Sequence, residues 1–233
     1  MKNIVSFSGG KDSTAMLLMM IEKQMQIDEI IFCDTGKEFP AMYAHIKKVE
    51  KYIGKKITVL RNDKSFDWLF GEYRTTRKSG QKIVGKGWMS FNFRWCTGDL
   101  KKDVVRKYLK GKNYVTYIGF AADEWNRKHQ KKQVYPLQDW NITEAEAIKY
   151  CYSKGFNWDG LYDKFVRVSC YCCPLQRLGE LKTIYFDFPE LWEDMRKLDS
   201  MSWRKFRTDY SLSELEAKFE RENELQQIRI EFT

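Results

Sequence analysis

Histidine is nearly missing from this chain, with two among 233 residues. His45 falls in the region of a helical stripe and His129 in a Lys/Arg-rich turn. Neither has a neighbour that marks a general base, so neither is assigned a catalytic role. Long apolar runs are missing as well. No stretch reaches the roughly 18 apolar residues of a membrane-crossing helix, and the Met-Lys-Asn opening does not read as a secretory signal. The expected location is therefore the cytoplasm, with no membrane partner. Internal repeats and low-complexity tracts are absent. Acidic residues fall short of basic ones, 32 against 41, leaving a net charge of +9. Such an excess suits a polyanionic partner, a nucleotide or a nucleic acid, with improved solubility as the other reading.

The apolar share of 43% and charged share of 31% fit a globular chain long enough to bury a full core. One large domain is the expectation, and a homodimer is compatible with it. The six cysteines are Cys33, Cys96, Cys151, Cys170, Cys172 and Cys173. In a reducing compartment they serve as thiols, metal ligands or redox groups rather than as disulfides.

The most informative stretch is Ile4 to Ser13: a short apolar run, then Ser8-Gly9-Gly10-Lys11-Asp12-Ser13, then an apolar helix-like segment, Thr14 to Ile21. It predicts a strand, a glycine turn and a helix N-terminus, where backbone N–H groups and the helix dipole attract anions. Gly9 and Gly10 permit positive φ and close approach of a phosphate. Lys11 adds a full charge, and Ser8 and Ser13 add hydroxyl donors. Asp12 would repel a bare phosphate, so its presence points to Mg²⁺ joining the phosphates. This is not the Walker pattern, because Asp12 separates Lys11 from Ser13. It resembles the PP-loop of the ATP pyrophosphatase (adenine-nucleotide alpha-hydrolase) superfamily, which implies ATP bound in an α/β fold and cleaved between its α- and β-phosphates.

Strand and helix signals then alternate. Glu29–Phe32 reads as a strand running into Cys33-Asp34-Thr35-Gly36. Pro40 opens a helix with a stripe of Met42, Ile46, Val49 and Ile53, and Ile57–Leu60 is a third strand. Tyr73–Trp88, with Arg74, Arg77, Lys78, Lys82 and Lys86, reads as a mobile basic loop that closes over a phosphate or is simply solvated. A basic helical run follows over Asp99–Leu109. Tyr114–Ile118 is a strand ending in Gly119 with Asp123, Glu124 and Arg127 behind it, and Val134–Leu137 is a last short strand. A capping box at Thr143–Glu146 opens a helix to about Lys154, Pro189–Leu198 is an aromatic, charged helix, and Ser213 with Glu216 caps a final helix. The expected fold is α/β, a doubly wound, mostly parallel five-stranded sheet. A nucleotide-binding portion covers 1–140, and a helical portion over 141–233 packs on the same core. The aromatics, eight tryptophans among them, read as core rather than as a stacking surface for bases.

Further matches follow in order: Asp34-Thr35-Gly36 with Phe39-Pro40, Arg94-Trp95-Cys96-Thr97, Gly119 with Ala122-Asp123-Glu124 and Arg127, Tyr135-Pro136-Leu137 with Trp140, and Cys170-x-x-Cys173-Pro174 with Pro189-Glu190-Leu191-Trp192. Over roughly residues 1 to 200 the chain resembles the phosphoadenosine phosphosulfate (PAPS) reductase family. It is similar in particular to its short members carried by phages and mobile elements. Two departures bear on activity. The full Lys-Asp-Ser loop is kept, which sulfonucleotide reductases typically lack. The chain also ends Ile-Arg-Ile-Glu-Phe-Thr, without the Cys-Gly-x-His that those reductases attack with. The resemblance therefore carries the fold and leaves the reductase activity behind.

On that resemblance, Gly9, Gly10 and Lys11 hold a β,γ-pyrophosphate leaving group. Ser8 and Ser13 donate to phosphate oxygens, and Asp12, with Asp34 as a second candidate, binds Mg²⁺. Asp34, Thr35, Gly36 and Gly119 complete the nucleotide site. Arg127 is the candidate cation for developing charge, a salt bridge to Asp123 or Glu124 being its alternative. The acceptor would be a nucleic acid, a nucleotide or a small molecule, in a reaction serving sulfur transfer. Cys170 and Cys173 have the spacing to grip one metal. Cys96 is the natural third ligand and the resemblance brings it near the pair, while Cys172 is either a fourth ligand or turned away. A 4Fe-4S cluster, a zinc ion, redox thiols and plain buried thiols all stay open. Cys33 and Cys151 read as structural. Reduction of a sulfonucleotide, and non-catalytic nucleotide or nucleic-acid binding, are the competing functions.

Overall fold

The first strand is apolar on both faces, and its centre is fully excluded from water: Ile4 and Val5 have no exposed surface. That is the mark of a parallel sheet covered on both sides. In the computed structural model, residues 1–76, 79–126 and 130–231 are described, 228–231 by backbone alone. In chain order the elements are β1 (Lys2–Ser6), α1 (Lys11–Glu22), β2 (Glu29–Cys33), α2 (Pro40–Ile53), β3 (Ile57–Leu60), β4 (Arg74–Thr76), β5 (Lys82–Val84), α3 (Trp95–Thr97) and α4 (Asp103–Leu109). Then come β6 (Tyr114–Ile118), β7 (Gln133–Val134), α5 (Pro136–Asp139), α6 (Glu144–Ser153), α7 (Leu161–Lys164), α8 (Leu178–Asp187), α9 (Pro189–Met201) and α10 (Leu212–Glu231).

Five strands form one sheet in the order β3-β2-β1-β6-β7, parallel at every pairing. The chain moves outward from β1 to β2 and β3, then returns to the other side of β1 with β6. The strand order reverses at β1/β6, and ligands of open α/β sheets bind beyond the carboxyl ends of the strands at such a switch point. Both turns that matter, after β1 and after β6, leave the sheet there.

Contacts group the chain into two units, Met1–Asn62 with Asp99–Ser169, and Asp63–Gly98 with Cys170–Thr233. This grouping does not follow the cut expected near residue 140. Residues 141–169 belong with the sheet because Cys151, Trp158 and Tyr162 all bond to the first glycine turn. In the first unit Ile4, Ile31, Leu60, Val104 and Leu109 form a buried cluster. In the second, Trp88 packs edge-on against Phe70 and Phe206, both at 4.8 Å, and donates through Nε1 to Asp199 at 2.6 Å.

Three local expectations are corrected. The strand expected over Val134–Leu137 stops at Val134, and Pro136 opens a helical turn instead. Proline has no N–H for the ladder, and its fixed φ suits a helix start. Within Tyr73–Trp88, β4 and β5 pair antiparallel as a ribbon rather than forming an irregular loop; Arg77 and Lys78 lie outside the described residues. The last helix is capped by Ser211 and Glu214, which exchange backbone-to-side-chain bonds at 3.2 and 2.6 Å. Glu216 accepts from Trp192 and Arg196 instead, each at 2.7 Å. No helix among the described residues is long and apolar enough to cross a membrane.

Candidate active site

The turn between β1 and α1 is tied down on every side. Gly9 sits at φ +80°, and a Cβ there would lie 2.7 Å from Met42 Sδ and 3.1 Å from Ile46. Glycine is thus required both for the left-handed backbone and for the close approach of α2. The Gly9 carbonyl accepts from Trp158 Nε1 at 2.7 Å, and the Lys11 carbonyl from Cys151 Sγ at 3.4 Å. The Lys11 N–H donates to the Tyr162 hydroxyl at 2.9 Å. Ser13 Oγ donates to the Gly10 carbonyl at 3.0 Å, accepts from the Ser8 N–H at 3.2 Å and lies 3.0 Å from Ser8 Oγ. A turn this constrained presents its polar atoms without further ordering cost.

The second turn completes it. A Cβ on Gly119, just past β6, would lie 2.8 Å from Ser13 Cα and N and 3.0 Å from the Asp12 carbonyl carbon. Gly119 is therefore the residue that lets the β6 turn lie flat against the start of α1.

A cleft of about 330 Å³ opens between these turns. Ser6, Ser8, Gly10, Lys11, Asp12 and Ser13 line it from β1 and the glycine turn. Ile118, Gly119, Phe120 and Glu124 line it from the β6 end, and Glu38, Met42, Lys101, Glu144, Tyr162, Arg167, Val168 and Ser169 complete it. Three cations, Lys11, Lys101 and Arg167, thus share one cleft. Lys11 Nζ bonds to Asp12, the nearer oxygen at 3.1 Å, and to Glu144. Burial works against the Lys11 ammonium, but these two carboxylates outweigh it and raise its pKa. Burial pushes the Asp12 carboxyl up to about 6, opposed only in part by Lys11. Lys101 stands 3.6 Å from Glu38.

Of the residues expected from sequence, Ser8, Gly10, Lys11, Asp12, Ser13 and Gly119 converge on this cleft, whereas Gly9 faces α2. Asp34, Thr35 and Gly36 do not line it. The Asp34 carboxylate accepts from the Gly36 N–H and the Tyr43 hydroxyl, both at 2.8 Å, and from Arg61 at 2.7 and 2.9 Å. Burial alone would raise its pKa, and these donors bring it below the usual value. Its work is to hold the β2 turn. Arg127 lies outside the described residues, as does His129. His45 is buried, bonded through Nε2 to Thr14 Oγ1 at 3.0 Å and stacked on Trp158. Burial, with Lys48 nearby, pushes it down to about 3, so it stays neutral.

Lys101, Glu144, Tyr162 and Arg167 were not legible as site residues. Lys101 was hidden in an ordinary basic run and Glu144 in a capping box, and Tyr162 and Arg167 carry no motif. Glu144 is also where Asp123 works, accepting the Glu144 N–H at 3.0 Å to cap α6.

Cys96, Cys170, Cys172 and Cys173 all belong to the second unit. The Cys173 N–H donates to the Cys170 carbonyl at 3.2 Å, and the Gln176 amide donates to the Cys170 and Tyr171 carbonyls at 3.0 and 2.8 Å. Cys172 is buried, and Cys96, Cys170 and Cys173 are half-buried. Among the described residues no group of three or more His, Cys, Asp or Glu side chains is gathered as a metal ion requires. As arranged, the thiols do not fit a zinc or iron–sulfur centre. Cys151 is buried and pushed up to about 12 by burial, which makes it a structural thiol.

Fold and cleft together define a parallel α/β protein with a glycine-turn cleft at its switch point. The chain belongs to the phosphoadenosine phosphosulfate reductase domain family, which it matches over residues 2–176. It is 27% identical over 205 residues to the uncharacterized protein MJ0066 of Methanocaldococcus jannaschii, covering 82% of this chain and 40% of that one. It is 29% identical over 174 residues to the uncharacterized nin region protein ORF290 of Escherichia phage lambda, covering 64% and 58%. The chain thus spans about half the length of these curated relatives. Its fold is similar to that of phosphoadenylyl-sulfate (PAPS) reductase from Candida auris in a phosphate complex, with a TM-score of 0.51 and 18% identity over 73% of this chain and 82% of the other.

Proposed function

We propose that the first unit binds ATP with Mg²⁺ and transfers its adenylyl group to an acceptor, releasing pyrophosphate. The observation that carries this reading is the convergence of Lys11, Lys101 and Arg167 with the Ser8–Ser13 turn in one cleft at the β1/β6 switch point. Three cations stand around a helix N-terminus beside four carboxylates, Asp12, Glu38, Glu124 and Glu144, and this mixture suits a polyphosphate carried with a divalent cation better than a bare phosphate. The acceptor oxygen forms a bond to the α-phosphorus, and the bond to the bridging β-oxygen breaks with its electron pair leaving on pyrophosphate. Lys11 and the Gly10–Ser13 N-terminus neutralise that departing charge, and Lys101 and Arg167 hold the remaining oxygens. Asp12 is the candidate to hold Mg²⁺, which would neutralise phosphate charge when bound. Phosphates reaching Lys11 displace Glu144, whose side chain is 42% exposed and free to turn into water.

Labelled ATP incubated with Mg²⁺ and candidate acceptors should yield AMP and pyrophosphate. ADP and phosphate instead would overturn the reading. Reductive cleavage of a sulfonucleotide is the second reading, favoured by the family description, with sulfite release as its assay. It ranks below the first because no cysteine among the described residues lines the cleft.

A pH signature follows from Asp12. Burial pushes the Asp12 carboxyl up to about 6, above the ordinary aspartate value of 3.8, so between those values the folded chain holds more protons than the unfolded one. Stability therefore falls as pH rises through that window. A cation on Asp12 expels the proton. Calorimetry of Mg-ATP binding in buffers of differing ionisation enthalpy should show more proton release near pH 5 than near pH 8, beyond that of the nucleotide itself. Asp12→Asn should remove the excess. Equal proton release by both proteins would count against Asp12 as the Mg²⁺ group.

A further inference from the structure

The second unit carries a cleft of its own, about 690 Å³, lined by Trp88–Asn92, Pro174–Arg177 and Trp203–Asp209. Its walls differ in kind from those of the nucleotide cleft. Ser90 and Phe93 exchange backbone bonds at 3.3 and 3.1 Å, which closes a tight turn and leaves Phe91 at its tip, 80% exposed. Phe93 and Trp203 are also exposed. The Arg204 guanidinium lies over both rings, 4.7 Å from the Phe93 centroid and 5.3 Å from that of Trp203. Arg177 and Lys205 are exposed on the same lining. Four basic residues line it (Arg177, Arg204, Lys205, Arg207); Arg207 is held by Asp209 at 2.9 Å and by the Pro174 and Gln176 carbonyls at 2.8 Å, and Lys205 pairs with Glu214 at 2.9 Å.

Exposed rings are costly to leave in water, and here they alternate with cations around a groove. A folded polypeptide or an acidic peptide supplies charge but few flat π faces. A duplex supplies phosphates but keeps its bases stacked inside. A single strand supplies both a charged backbone and free base faces, and these are the two features matched by the aromatic and cationic side chains. From this geometry we infer that the second unit binds single-stranded nucleic acid, its bases stacking on Phe91 and on the exposed rings of Phe93 and Trp203 and its phosphates meeting Arg177, with Lys205 exchanging Glu214 for a phosphate. The inference does not depend on the nucleotide chemistry proposed for the first unit.

The test is fluorescence anisotropy of the full chain with a labelled single-stranded oligonucleotide, its duplex, and a polyglutamate competitor. Single strand should bind more tightly than duplex. Phe91→Ala should weaken single-strand binding about fivefold or more; Phe91→Trp should restore it, and Phe91→Leu, apolar but without a π face, should not. Arg177→Gln should make the logarithmic salt dependence shallower by about 0.7. Phe91 sits at an exposed turn tip, so ATP affinity should be unchanged in these variants, and this control separates failure here from failure of the nucleotide site. Equal affinity for duplex, full displacement by polyglutamate, rescue by Phe91→Leu, or no binding at all would overturn the inference.

Discussion

Replacing Lys11 with methionine is expected to lower kcat/KM for Mg-ATP by about 10²- to 10³-fold, the loss typical of one preorganised charge-stabilising donor. Methionine keeps the buried stem and removes only the ammonium, so the change isolates charge from packing. The ammonium is the one group of the glycine turn that reaches both Asp12 and Glu144. Without it, two carboxylates face the cleft with no counter-charge on the turn, and the folded state protonates Asp12 more readily still. Turnover measured by pyrophosphate release, with circular dichroism to confirm an unchanged fold, checks this. Activity within about threefold of the parent would remove Lys11 from the leaving-group site, against the 10²-fold or greater loss expected.

The second large effect belongs to Gly119. An added Cβ would meet Ser13 Cα and N at 2.8 Å and the Asp12 carbonyl carbon at 3.0 Å, all backbone atoms that no rotamer change can move aside. Gly119→Ala is expected to push the β6 turn off the start of α1, costing about 1–3 kcal/mol in stability as overpacking does. ATP affinity should fall by more than tenfold, because the phosphate donors lose their alignment. Gly98→Ala is the matched control, since Gly98 has helical φ and nothing within 4 Å of its added Cβ. Thermal denaturation and calorimetry should separate the two variants. Equal behaviour would mean that the close approach is relieved elsewhere in the chain.

Much of the sheet was readable because its strands are short apolar runs between glycine, proline and capping signals. Ile57–Leu60 and Tyr114–Ile118 agree to the residue, and Pro40 opens α2 as proline should. Errors fell where two local rules competed. At Val134–Leu137 the apolar run reads as a strand, but Pro136 has no N–H for the ladder and opens a helical turn. At the last helix both Ser211/Glu214 and Ser213/Glu216 satisfy the capping pattern. Glu216 was taken by Trp192 and Arg196, partners 24 and 20 residues away in sequence. The reading of the aromatics as core holds for Trp88, Trp95, Trp158 and Trp192 but not for Trp203 or Phe91.

The glycine turn, its lysine and its aspartate form one unbroken stretch, so backbone preference and residue chemistry alone place them at a helix mouth after a strand. Lys101, Glu144, Tyr162 and Arg167 come from segments about 90 to 156 residues further along, and no local pattern separates a lysine in a cleft from one in solvent. Their arrival at the turn depends on how β6 inserts beside β1 and on how residues 141–169 fold back over α1. Asp34 makes the same point in reverse: its position at a strand end put it at the sheet's ligand-binding edge, whereas in the fold its oxygens accept from Tyr43, Arg61 and the Gly36 N–H. Short-range geometry is written in adjacent residues, whereas charge balance in a cleft is a sum over every segment that chain topology brings there.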